Sequence, residues 1–269
     1  MLRAVHALRP NKICMSDEIL QFETLTYWKD LLSHLFEHGG DYDQCAKEAE
    51  AAAEAAIMSP EHMRRVMSFR WRELVDRALD DHILTAEEEH RLKAIMNAFS
   101  LPQAAINEHG HFTKLVKAAI LRDLQAGNPT TRISLDVALP FKLQNREVVL
   151  WAFPQTRIFE RVTKRKITGG STGVSIRVMK GVYWRVGAFQ GTPISWDETH
   201  HTDTGLLVLT NKNLLFSGPV RNQRISYSKL ATIEPYPDAI EVQRDATTAK
   251  PQVFRDIDGQ FAYNVIQFS

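Results

Sequence analysis

Residues 168–189 read TGGSTGVSIRVMKGVYWRVGAF, and the reading of this stretch decides the fold of the second half of the chain. Gly169, Ser171 and Gly173 match the G-x-S-x-G pattern of a serine-hydrolase nucleophile elbow, which needs a strand before the serine and a helix after it. After Gly173, however, Val174, Ile176 and Val178 alternate with Ser175, Arg177 and Met179, which is a strand period. A serine between two strands gains no helix N-terminus, and its base would have to come from Asp197 with His200 or His201 on a separate hairpin. A phosphate-cradling loop fails for a related reason. It places lysine and Ser/Thr directly after the last glycine, at a helix start. Here Lys164, Arg165 and Lys166 precede the glycines and Val174 follows them. Residues 168–173 are therefore expected to form a glycine turn between strands.

Working outward, short alternating segments follow one another from residue 147: EVVLWAF, the quoted stretch, GLLVLTNKNLLFSG, QRISYSKLATIEPY, AIEVQR and QVFRDI. Glycine and asparagine turns separate them, as strands require. The terminal DGQFAYNVIQFS reads as a short closing helix. Upstream the period changes to that of helices. Ser16 with Asp17 and Glu18 opens one that stops at Gly39-Gly40. The alanine-rich run over 41–57 suits a closely packed helix. Ser59-Pro60 is a cap followed by a first-turn proline, and Thr85 to Glu88 forms a capping box. A last helix ends at Gly127, with Pro129 beyond it. The expected fold class is α+β in two domains: a helical domain over 16–127, a linker over 128–132 and a β domain over 133–269. Residues 1–15 are expected to be a disordered tail, with Met1 and Met15 both open as the translation start.

The composition sets bounds on function. Hydrophobic residues make up 44% and charged residues 24% of the 269, enough to build a core. A formal charge of +1 argues against a general nucleic-acid binder. Cys14 and Cys45 cannot build a disulfide framework, and a reducing, cytoplasmic setting suits them. No apolar run is long enough to span a membrane, and the opening MLRAVHALRPNKIC lacks the apolar core of a signal peptide.

The β half resembles a bacterial pleckstrin-homology-like (PH/GRAM-type) domain, on GVSIRVMKGVYWRVGAF, DTGLLVLTNKNLLFSG and KLATIEPYPDAIEVQRD. That resemblance implies a seven-strand, strongly bent β-barrel capped at one end by a helix, a binding module without catalysis. The helical half resembles TerB-like, tellurite-resistance-associated domains on RALDDHILTAEEEHRLKAIMNAFSL, where an acidic turn separates two helices. This implies a bacterial stress, tellurite-resistance or phage-defence setting.

Charge supplies the candidate sites. Residues 157–185 carry a net charge of +7, through Arg157, Arg161, Lys164, Arg165, Lys166, Arg177, Lys180 and Arg185 against Glu160. Arg161, Lys164, Arg165, Lys166 and Arg177, around Gly169, Gly170 and Ser171, could form an anion nest in which a glycine turn offers its amides. They could equally be a charged surface for a protein partner, or simply a solvated face. Asp76, Asp80 and Glu87 partly imitate a calcium loop, but Ala78 replaces a ligand and Asp81 the turn glycine. The histidines at 109, 111, 200 and 201 lack a complete zinc set. Residues 41–61 and 76–89 each carry a net charge of −5, so the acidic helical half is expected to attract the basic β half. The expected function is a non-catalytic adaptor for a protein partner, without cofactor, and with no nucleic acid. The alternative is a peripheral membrane sensor of anionic lipid or a phosphorylated ligand, and a serine hydrolase at Ser171 stands third. The partner's identity and the oligomeric state are not legible.

Overall fold

The computed structural model describes residues 17–81, 83–134, 139–179, 182–246 and 249–269, with the side chains of 17–19, 162–179 and 182–198 outside the description. The expected tail over 1–15 falls outside the described residues. The chain divides into two compact units, Met1–Ala126 and Gly127–Ser269.

The first unit is helical: α1 (Asp17–His38), α2 (Tyr42–Ala55), α3 (Pro60–Ala78), α4 (Ala86–Ala98), α5 (Gln103–Ile106) and α6 (His111–Gln125). Its helix starts follow the caps. Asp41 accepts from Gln44 N, Ser59 from His62 N, and Thr85 and Glu88 close a reciprocal capping box. The short α5, which the periodicity does not signal, follows Pro102 at its N-cap. Trp28, Leu31, Leu32, Leu35 and Phe36 recur at helical spacing on α1 and are buried with Met63, Met67, Trp71, Leu74 and Val75 of α3. Ala46, Ala49 and Ala53 give α2 a small-residue face, so its backbone can lie close to the core. Trp71 is wholly buried and donates its indole N–H to Leu92 O at 2.8 Å, tying α3 to α4. Glu89, also buried, is held by Arg122 of α6 at 2.6 Å and by Lys93.

The second unit is a seven-stranded antiparallel sheet: β1 (Val149–Met179), β2 (Val182–Thr210), β3 (Asn213–Ser217), β4 (Asn222–Ser226), β5 (Leu230–Tyr236), β6 (Ala239–Arg244) and β7 (Gln252–Arg255), followed by α7 (Gly259–Phe268). The strand order is β4-β3-β2-β1-β7-β6-β5. Since β4 and β5 do not pair, the sheet is open, not the closed barrel the resemblance implies. The segment expected as one strand over 223–236 is split by a 3-10 turn at Tyr227–Lys229, which separates the two edge strands. The sheet nevertheless bends enough for distant strands to touch. Phe216 of β3 and Phe254 of β7 have ring centroids 6.2 Å apart, although β2 and β1 lie between them in the order.

The run GLLVLTNKNLLF is almost continuously apolar because β2 and β3 are covered on both faces. Val208 and Leu215 pack with Val149 against Leu139, Phe141 and Leu143 of the preceding segment. Leu207, Leu209, Leu214 and Phe216 are completely buried at the intervening positions. The polar letters between them form a lock. Thr210 Oγ1 accepts from Asn213 N at 2.8 Å and donates to Glu147 Oε1, which also accepts from Asn213 Nδ2 at 2.6 Å. Asn211 Oδ1 accepts from Val148 N, and Tyr227 donates its hydroxyl to Thr210 O. Burial tends to raise the Glu147 carboxyl, but these hydrogen bonds outweigh it and hold the group below the ordinary glutamate range. At the far end Gly259 starts α7 under the β5–β6 turn, where any Cβ would overlap the carbonyl oxygens of Ala239 and Tyr236.

Candidate functional site

β1 pairs with β7 over Arg157–Glu160, and β2 pairs with β3 over Leu206–Leu209. Beyond those strand pairings the two long strands continue, among the described residues, paired only with each other, from Arg161↔Thr199 to Met179↔Val182. The result is a two-stranded ribbon. The stretch 161–179 alone spans roughly 60 Å at the ~3.3 Å rise of a strand.

The expected glycine turn at 168–173 is not a turn. Those residues lie within β1, and their register partners Gly187 to Thr192 lie within β2. Gly169 pairs with Gly191 and Gly173 with Gly187, so the glycines face one another across the ladder. A nest needs successive amides aimed into one concavity, whereas the amides of a paired strand point alternately to its two edges.

The register also spreads the candidate cations out. Lys164, Arg165 and Lys166 stand opposite Trp196, Ser195 and Ile194, and Arg177 stands opposite Tyr183. From Arg161 to Arg177 the strand rises roughly 50 Å, too far for these groups to meet around one phosphate. Gly170 and Ser171 stand opposite Gln190 and Phe189. The hydrolase constellation is likewise not assembled by this register. Asp197 pairs with Thr163 and His200 with Glu160, which puts Ser171 about 26 Å and about 36 Å further along the ribbon. His201 instead approaches Thr204 Oγ1 at 3.0 Å and stacks edge-on against Phe159.

At the root of the ribbon, side chains are described, and Arg157, Glu160 and Arg161 are each engaged. Arg157 makes a two-pronged ion pair with Asp256. Glu160 accepts from Arg221, in the β3–β4 connection, and from Gln252 Nε2 at 3.1 Å. Arg161, expected as a ligand-binding cation, is paired with Glu241 of β6 at 2.9 Å, and its backbone N–H donates to Pro251 O. Gln252 Nε2 also reaches Gln223 Oε1 of β4 at 3.4 Å, a further contact across the bend. Burial works to raise the Glu160 carboxyl, but the hydrogen bonds from Arg221 and Gln252 and the charges of Arg221 and Lys250 pull it below its ordinary value. Asp203, at the neighbouring position of β2, is buried and accepts from Thr204 N, Val220 N and Arg221 N, which fixes the β3–β4 connection beside the root. These anchoring partners are remote in sequence, and no local pattern marks them.

The remaining candidates do not converge. Asp76 on α3 is 3.1 Å from His111 Nε2 and 3.9 Å from Lys114 Nζ, and Glu87 in the first turn of α4 pairs with Arg91. Among the described residues no group of three or more His, Cys, Asp or Glu is placed to share a metal ion. The two acidic stretches also differ. Asp76, Glu87, Glu88 and Glu89 are used in internal pairs and a cap, while Asp43, Glu50, Glu54 and Glu61 stand exposed without an ion pair among the described residues.

No protein-family model matches the chain, and no curated protein is similar to it in sequence. What the structure defines is a class: an α+β protein of two units, one a helical bundle, the other an open, bent antiparallel sheet with a C-terminal helix and a long β-ribbon. No described helix is long and apolar enough to cross a membrane.

Proposed function

We propose that the protein is a non-catalytic adaptor whose β1–β2 ribbon is the arm that engages an acidic surface on a protein partner. The observation that carries this reading is the spread of the ribbon's basic residues along some tens of ångströms of paired strand. That geometry suits an extended surface better than a single small anion. A two-stranded ribbon is marginal in water by itself, and among the described residues neither outer edge of this one has a neighbouring strand, so a partner would complete it. The PH-like reading of the β unit is supported by its seven strands, its strong bend and the helix that follows them. The TerB-like reading of the helical unit rests on the helix–acidic turn–helix within residues 77–101, and the bacterial stress or defence setting of the adaptor is proposed on that resemblance alone.

The second reading, a sensor of anionic lipid or of a phosphorylated ligand, draws on the same cations. One experiment separates the two. The full chain and a variant with Lys164→Gln, Arg165→Gln and Lys166→Gln are cross-linked in cells, and both are tested in parallel for sedimentation with phosphatidylserine vesicles. The adaptor reading expects a defined protein adduct that the triple variant loses, with no vesicle binding. Vesicle binding lost in the triple variant, without a protein adduct, would replace it with the lipid reading.

A further inference from the structure

A second feature lies in the helical unit and is independent of the ribbon. Between α1 and α3 there is a cleft of about 240 Å³. Its floor is apolar, made by Leu32 and Leu74, both buried. Its walls are polar: Lys29 and Ser33 come from α1, and Arg70, Glu73 and Arg77 from α3. The spacing explains the arrangement. Positions 29, 32 and 33 share one face of α1, while 70, 73, 74 and 77 share one face of α3, so each helix presents polar groups beside one buried leucine.

The charges in the cleft are unequally occupied. Arg77 is engaged by Glu37 at 2.6 Å and lies over the Phe36 ring, which makes it a wall and not a free donor. Arg70 gives Nη1 to Glu73 at 2.7 Å. Its Nε is buried and has no acceptor, an arrangement that is costly for a charged donor. Lys29 is exposed and takes no part in an ion pair among the described residues, and the Ser33 hydroxyl has no hydrogen-bond partner among them. With Arg70 set against Glu73 and Arg77 against Glu37, the charge of Lys29 leaves the cleft positive.

We infer that this cleft binds a small organic oxyanion, a carboxylate or phosphate on a short apolar stem. The oxyanion is held by Lys29, Ser33 and Nη2 of Arg70, and the stem lies on Leu32 and Leu74. A mixed lining of this kind, apolar with a few convergent donors, is the usual make-up of a ligand site, and the volume is below that of drug-sized pockets. The head group is of the kind that a guanidinium and an ammonium recognise together.

The test is a titration of the isotope-labelled full chain with butyrate and, separately, with butyl phosphate, followed by amide NMR shifts. The expected result is a saturable shift at Lys29, Ser33 and Arg70 with at least one of the two, and whichever titrates identifies the head group. Lys29→Gln should weaken it tenfold or more. Among the described residues Lys29 holds no other group in place, so its replacement should leave the fold intact and a loss of binding can be read directly. Arg70→Gln should weaken it as well. The inference is overturned if neither compound moves these amides, or if Lys29→Gln and Arg70→Gln bind as the native chain does. It is also overturned if binding disappears only when Lys164 and Lys166 are changed to glutamine.

Discussion

The sheet body and the ribbon are built from the same two strands, yet they are held by different physics. Inside the body β1 and β2 have neighbours on both edges, and at β2 apolar cover on both faces, so that Leu207, Val208 and Leu209 are all completely buried. Beyond Arg161, among the described residues, each strand is paired only with the other. The boundary between the two regimes is marked by charge. Arg157, Glu160 and Arg161 are paired to Asp256, Arg221 and Glu241, partners drawn from three other parts of the sheet unit. The body is thus fixed by burial, while the ribbon's direction is set by electrostatic pegs at its root. A change in the body should cost stability, and a change in the ribbon should cost binding.

That contrast can be broken most directly in the core. Phe254→Ala removes the ring that meets Phe216 across the bend and should destabilise the sheet unit by ~3–5 kcal/mol. Chemical denaturation would measure it, and a small effect would mean that the bend is not held from inside. Gly259→Ala comes next. With no room for a Cβ, it should cost about 1–3 kcal/mol, whereas an ordinary first-turn glycine would tolerate the change. Glu147→Ala strands the donors of Thr210, Asn213 and Gln144 and should cost about 1–3 kcal/mol.

Acid should act on the same side of the comparison. Glu147 and Glu160 both sit below their ordinary value near 4.5 in the folded protein. As pH falls, the unfolded chain takes up these protons first. The stability they contribute is therefore present above about pH 4.5 and is lost as pH drops through the folded values. Melting curves between pH 6 and 3 should show this loss, and Glu147→Gln with Glu160→Gln should flatten it. The smallest effect on stability belongs to the ribbon. Replacing residues 164–196 by an Asn-Gly turn, which joins the register partners Thr163 and Asp197, should change the stability of the body by no more than about 0.5 kcal/mol while abolishing the cross-link to a partner. A large loss of stability would show the ribbon to be part of the fold.

Much of the helical unit is legible in the sequence because its signals are local. Asp41, Ser59 and the Thr85–Glu88 box each satisfy backbone groups within three residues, and the caps stand where the helices begin. The ribbon is harder to read because glycine suggests a turn at Gly169–Gly173. A better signal was present in the symmetry. In the sequence Gly169 and Gly173 mirror Gly191 and Gly187 about position 180, as facing positions on two arms of one hairpin must. The acidic stretches look alike as compositions. Their difference follows from which of their carboxylates fold against Arg91, Arg122 and His111.

By itself the sequence determined the change of period near residue 127, the helix caps, the strand character of the second half and the concentration of positive charge over 157–185. These depend on neighbours a few residues apart, where backbone geometry and spacing act directly. Only the tertiary structure decided that the sheet stays open, that Arg161 is spent on Glu241, that Thr210 and Asn213 serve Glu147, and that Lys29 and Arg70 share a cleft. Each of those outcomes joins residues far apart in the chain. Such contacts are selected by the packing of whole elements, and no local pattern encodes them.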